Sequence, residues 1–108
     1  MGNYFVYITT NPKKKVLYTG MTNDLEQRLI EHYLNRGNLK TFAGRYFCYN
    51  LLYFERLDTA TQAIEREKEI KDWNRSKKVE LILETNPQMR FLNPEIMDWP
   101  PDPQITSR

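Results

Sequence analysis

The chain has one cysteine and one histidine among its 108 residues. The lone cysteine, Cys48, excludes a disulfide framework and any cysteine-rich zinc site. The lone histidine, His32, excludes every multi-histidine metal centre. Four glycines are present and they are scattered, so no glycine-rich phosphate loop is available. No apolar run approaches the roughly 20 residues that a membrane span needs. The N-terminus lacks the basic-then-apolar layout of a secretion signal. A cytoplasmic protein with a reduced cysteine is the expectation.

What is present reads as one soluble globular domain, 40% hydrophobic and 28% charged. The net charge of +2 is small, but it is unevenly spread. Residues 1–78 hold 14 Lys and Arg against 9 Asp and Glu, a net of +5. Residues 79–108 hold 2 against 5, a net of −3. A basic body that binds a polyanion, followed by an acidic end, is consistent with this split.

Tyr4 to Thr10 is rich in β-branched and aromatic residues and predicts a strand. Asn11-Pro12-Lys13 signals a turn, and Lys15 to Gly20 a second strand that Gly20 ends. Asn23 or Asp24 offers an N-cap for a helix over 24–34, with Leu25, Leu29, Ile30 and Tyr33 on one side. A connecting stretch carries Lys40, Gly44 and Arg45. Phe47 to Glu55 predicts the third strand. Thr59 and Gln62 fit a capping box opening a helix that runs to about Asn74. Ser76 is the expected cap of a last helix to about Glu84, which Asn86-Pro87 ends. The order β-β-α-β-α-α is an α+β layout, a small, largely antiparallel three-stranded sheet with helices against it. The domain is expected over 1–87. Residues 88–108, with Pro94, Pro100, Pro101 and Pro103, are expected to be an irregular tail. It would pack through Phe91, Leu92, Ile96, Met97 and Trp99, and fray beyond Pro103.

Helical geometry singles out three polar residues. With 100° per residue, Ala60, Ala63, Ile64 and Ile70 define an apolar arc on the second helix, and Glu67 falls inside it. Glu65, Glu69 and Asp72 fall opposite. A carboxylate on a buried face needs a basic partner, hydrogen-bond donors or a metal ion. On the first helix Arg28 and His32 lie one turn apart at the margin of the apolar face. One Glu, one Arg and one His are thus directed towards a tyrosine-rich sheet. Magnesium is commonly held by one or two carboxylates with phosphate and water completing its shell. An Arg supplies a planar fork for phosphate oxygens, and a tyrosine hydroxyl can orient or deprotonate a water. That inventory suits one-metal phosphodiester hydrolysis.

Phe5-Val6-Tyr7, ten residues, then Tyr18-Thr19-Gly20 resembles the two-tyrosine signature of the GIY-YIG nuclease superfamily. Residues 21–32, with Arg28 eight after Gly20, resemble its next block. Ala63, Glu67 and Ile70-Lys71 resemble the helix bearing the family's metal-binding glutamate. The stretch 67–78 is similar to small stand-alone bacterial members, which resemble the N-terminal nuclease domain of the excision-repair endonuclease C subunit. The resemblance covers residues 3–84. Phe5 stands where the name-giving Gly would be, Thr19 where Ile would be, and Met21 where some repair-type members have Lys. Asn74 and Asn93 are the two candidates for an asparagine found near the site in some members.

The resemblance implies a metal-dependent DNA endonuclease of DNA repair or recombination, using one Mg²⁺ or Mn²⁺. It implies Tyr18 as general base or water-orienting group and Tyr7 as its neighbour in the hydroxyl network. Arg28 would bind the scissile phosphate, His32 would assist, Glu67 would ligate the metal, and Gly20 would permit a tight strand end. Lys40, Arg45, Lys71, Arg75, Lys77 and Lys78 are candidates for DNA-backbone contacts. No second DNA-reading module is evident, so affinity and specificity are expected to be low unless a protein partner supplies them. The alternative is a non-catalytic DNA- or protein-binding module on the same fold, in which Arg28 and Glu67 form a structural ion pair.

Overall fold

The computed structural model describes residues 2–101; the expected fraying beyond Pro103 lies outside the described residues. The most apolar segment becomes the centre. β1 (Tyr4–Thr10) lies between two antiparallel neighbours, β2 (Leu17–Thr22) and β3 (Asn50–Leu57), in the order β2-β1-β3. Successive side chains of a strand alternate between faces. Val6 and Ile8 therefore join one apolar cluster, and Tyr7 joins another on the opposite side of the sheet. A register shift at Ile8/Thr9 leaves Leu52 as the extra residue of β3, so that Leu52 and Tyr53 both serve the Val6–Ile8 cluster while Leu51 serves that of Tyr7.

α1 (Leu25–Leu34) covers the Tyr7 face with Leu25 and Leu29, and Asp24 caps it by accepting from the Gln27 N–H at 3.0 Å. α3 (Ala60–Lys71) and α4 (Arg75–Thr85) cover the other face with Ala63, Ile70, Leu81 and Ile82. The α+β class and the three-stranded antiparallel sheet are as expected.

Several boundaries differ from expectation, each for a local reason. β2 starts at Leu17 because the Asn11 carboxamide accepts from the N–H groups of Lys15 and Val16, at 2.7 and 3.0 Å, and keeps them in the turn. Gly20 does not end that strand; it lies inside it, paired with Tyr7. β3 starts at Asn50, not Phe47: Phe47 has φ 58°, a left-handed conformation incompatible with a strand. Cys48 is thus buried outside the sheet, where burial pushes its thiol pKa up to about 11. Thr59 caps α3 through the Gln62 N–H, but the Gln62 carboxamide reaches back to the Asp58 N–H, one residue before the expected partner. α3 ends at Lys71, with Asp72 as C-cap, and Asn74, not Ser76, caps α4 by accepting from the Lys77 N–H at 2.9 Å.

Two short helices were not anticipated: α2 (Phe42–Arg45) and α5 (Asn93–Ile96). α2 lies tight against the end of α1. A Cβ on Gly44 would come within 2.6 Å of the carbonyl oxygens of Asn35 and Asn38, so only glycine allows this approach. Ahead of α5, the Leu92 N–H donates to the Leu51 carbonyl at 2.7 Å. Asn93, fully buried, accepts from the Leu51 N–H at 2.7 Å and donates to the Tyr49 carbonyl at 2.9 Å. Leu92, Ile96 and Trp99 pack into the cluster of Tyr7, Leu25, Leu29 and Leu51. Phe91 packs on the opposite cluster. Among the described residues, no helix is long and apolar enough to cross a membrane.

Candidate active site

The β1–β2 register sets Tyr7 opposite Gly20 and Thr9 opposite Tyr18, so both tyrosines share the face that α1 covers. Gly20 has to lack a side chain. A Cβ there would lie 2.5 Å from the Tyr7 hydroxyl oxygen and 3.0 Å from the Tyr18 ring. The reason for this glycine is therefore ring clearance within the strand, not a strand end.

His32, from the last turn of α1, meets both tyrosines. Its Nε2 is 2.7 Å from the Tyr7 hydroxyl. Its ring stands edge-on to those of Tyr7 and Tyr18, with centroids 5.7 and 5.4 Å away. Protons follow from the electrostatics. Burial, then the nearby Tyr18, holds the Tyr7 pKa well above the usual tyrosine value. Burial, then the Arg28 charge, holds His32 down to about 4. At neutral pH the phenol keeps its proton and the imidazole is uncharged, so the Tyr7–Nε2 contact joins two neutral groups, with the donor set by the imidazole tautomer.

Tyr18, Arg28 and His32 line one cleft of about 160 Å³, completed by Glu31, Asn35, Thr41, Phe42 and Ala43. The Arg28 Nε lies 3.3 Å from the Glu31 carboxylate, and both side chains are more than a third exposed. Such a pair contributes little stability, so a phosphate can replace the carboxylate at small cost.

Glu67 lies on α3, the helix that covers the other face of the sheet, and is not among the residues lining this cleft. Its side chain is half-buried, 18% exposed, as its place on the inner arc predicts. The arc is narrower than expected: Ala63 and Ile70 are buried, but Ile64 is 42% exposed. Glu67 pairs with Lys71 at 3.5 Å, one turn on. Its charge reaches the Tyr7 hydroxyl, where it adds to the upward shift of that pKa. Arg28 and Glu67 each take another partner, so the ion pair required by the non-catalytic alternative does not form. No group of three or more His, Cys, Asp and Glu side chains converges among the described residues. That donor set cannot close a metal site from protein alone. It fits a hard cation that sits on one carboxylate, keeps waters and takes further oxygens from phosphate.

The basic candidates divide. Lys40 is exposed, and Arg45 is exposed with its guanidinium donating to the Leu39 carbonyl at 3.1 Å. Lys71 is engaged by Glu67. Arg75 is spent on the hairpin turn, donating to the carbonyls of Lys15 and Lys14 at 2.8 and 3.0 Å. The Lys77 ammonium lies 4.5 Å from the centre of the Trp73 ring. Lys78 is half-buried on α4. Asn74 and Asn93 serve as a helix cap and a strand brace. A wider groove of about 580 Å³ runs along Arg56, Gln62 and Arg66. It holds none of the candidate site residues, and its charges largely satisfy one another through Arg56–Asp58 and Arg66–Glu69 pairs. Sequence reasoning missed Phe42, whose ring stacks on Tyr18 at 6.1 Å; a four-residue helix gives no periodic signal.

The profile of the GIY-YIG catalytic domain matches residues 3–80. A UPF0213 protein of Staphylococcus saprophyticus is 39% identical over 84 residues, covering 78% of this chain and 99% of that protein. A UPF0213 protein of Haloquadratum walsbyi is 41% identical, covering 75% of this chain and 88% of its own length. The solution NMR structure of a UPF0213 protein from Bacillus halodurans superposes with a TM-score of 0.52 at 26% identity, covering 89% of this chain and 97% of that one.

Proposed function

Because the chain belongs to the GIY-YIG catalytic-domain family, we propose that it is a divalent-metal-dependent DNA endonuclease acting at the cleft of Tyr18, Arg28 and His32. The observation that carries this reading is the meeting of Tyr18, Arg28 and His32 in that cleft, with Tyr7 buried behind His32. Tyr7 and Tyr18 come from paired strands, and Arg28 and His32 from one helix. The Tyr7–His32 hydrogen bond at 2.7 Å ties strand to helix.

Hydrolysis forms a bond from a water oxygen to phosphorus and breaks one ester P–O bond; the leaving oxygen takes up a proton. Arg28 binds the non-bridging oxygens and offsets the negative charge that gathers on them. The Tyr18 hydroxyl, on the cleft wall, orients the attacking water. Tyr7 holds its own proton and acts by fixing the His32 ring through Nε2. Glu67 would hold a Mg²⁺ or Mn²⁺ ion, which when bound polarises a phosphoryl oxygen and stabilises the departing alkoxide. Lys40 and Arg45 are the candidates best placed for backbone contacts, since both are exposed on the segment that walls the cleft. A protein partner supplying specificity, a cytoplasmic location and a place in DNA repair belong to the same reading.

The test is cleavage of supercoiled, single-stranded, nicked and branched DNA with Mg²⁺ or Mn²⁺, beside Glu67→Ala and Arg28→Ala. Cutting that needs metal and is lost in both folded variants supports the assignment. A wild-type protein that cuts none of the panel, and gains no thermal stability from either ion, would overturn it.

A further inference from the structure

Phe42 is 51% exposed, and its neighbour Tyr46 is 41% exposed. Both lie on or at the end of α2, with ring centroids 4.8 Å apart. Exposed aromatic rings forgo burial that would stabilise the fold. The short helix that carries them is pinned at its backbone. The Thr41 hydroxyl caps α2 at the Gly44 N–H, 3.0 Å away. The Gly44 carbonyl accepts from Gly37 at 2.8 Å. The absence of a Gly44 side chain lets the helix sit on the α1 end.

The ledge continues the cleft. Phe42 is one of its lining residues, and its ring lies nearly parallel to that of Tyr18, at 25°. The cleft, about 160 Å³, is well below the roughly 300 Å³ at which drug-sized ligand pockets begin. It suits a phosphate with one flanking group. The ledge carries exposed Lys40 and Arg45, cations that complement a phosphate backbone. Flat aromatic faces beside cations are the chemistry that binds unstacked bases. A base inside a duplex has both faces covered by its neighbours and cannot use such a ledge.

Resting on the nuclease reading, we infer that Phe42, backed by Tyr46, is a stacking platform for an unpaired nucleobase flanking the phosphate held at Arg28. The substrate is then DNA with single-stranded character at the cut.

The test is binding, measured with EDTA present so that nothing is cut. Fluorescence anisotropy would follow the full-length protein on a labelled single strand, the matching blunt duplex, and the same strand with abasic sites. Phe42→Ala should weaken single-strand binding about tenfold, from the stacking contribution of one base. Duplex binding should be unchanged, and Phe42→Trp should restore the single strand. The abasic strand should bind the parent protein about as weakly as the normal strand binds Phe42→Ala. Equal weakening on strand and duplex, or an abasic strand bound as tightly as the normal one, overturns the platform. So does a parent dimer in light scattering that Phe42→Ala converts to monomer, because a second copy would then cover the ledge. Circular dichroism confirms that the variants fold. A protein that binds strands through Phe42 yet cuts nothing refutes the nuclease reading alone; one that cuts regardless of Phe42 refutes the platform alone.

Discussion

His32 and Gly20 show how single residues are set by their neighbours. With its folded pKa near 4 against about 6.5 unfolded, His32 takes up its proton more readily in the unfolded chain. Its contribution to stability is whole above about pH 6.5 and is lost as pH falls through 4, amounting to as much as about 3 kcal/mol. Urea unfolding between pH 7 and 4 should show this loss, and His32→Gln should flatten it; parallel curves would mean that His32 is not buried uncharged. Gly20→Ala presses a methyl group against the fully buried Tyr7 ring. It should cost about 1–3 kcal/mol, as overpacking does, and reduce any cleavage by moving Tyr7 and Tyr18. An unchanged melting temperature would show that the rings give way freely. At this scale the sequence was partly legible. The family resemblance paired the two tyrosines, and helical geometry separated Glu67 from Glu65 and Glu69. The purpose of Gly20 was hidden because ring clearance depends on strand register, which one strand alone does not reveal.

Among the elements, long periodic segments were readable and short or capped ones were not. Every strand and each of the three longer helices was anticipated, because alternation and the 3.6-residue repeat run through them. The junction between α3 and α4 was misplaced by a competition between Asn74 and Ser76, two residues that both cap helices well. The structure gives the cap to Asn74 through the Lys77 N–H, so Asn74→Ala should cost about 1 kcal/mol and Ser76→Ala a few tenths at most. Thermal melts of the two variants decide it; the reverse order would place the helix start two residues later. α2 and α5 escaped notice because four residues complete barely one turn.

Over the whole molecule, the body with a family counterpart and the segment after it are one packed object. The matched profile ends at residue 80, yet Leu92, Ile96 and Trp99 back the cluster that seats α1, and with it Arg28 and His32. The apolar residues of this segment were legible as packing groups. Asn93 was not: it entered only as a candidate site asparagine, because its packing role depends on where the edge of β3 lies. It braces the free edge of β3 through Leu51 and Tyr49. Removing that side chain strands one buried N–H and one carbonyl, at about 1–3 kcal/mol each. Asn93→Ala should therefore lower stability by roughly 2–6 kcal/mol, and hydrogen exchange at the Leu51 amide should quicken before the chain unfolds globally. A chain ended at Pro87 loses the brace and the apolar anchors Phe91, Leu92, Ile96 and Trp99 together. Against a total of about 5–15 kcal/mol for a domain of this kind, it should be close to unfolding at room temperature. Denaturation of the shortened chain at the same urea concentration as the full one would show that residues 88–101 merely lie on a body that is already complete. Loss of the transition, with α1 amides exchanging first, would show that the cleft depends on them.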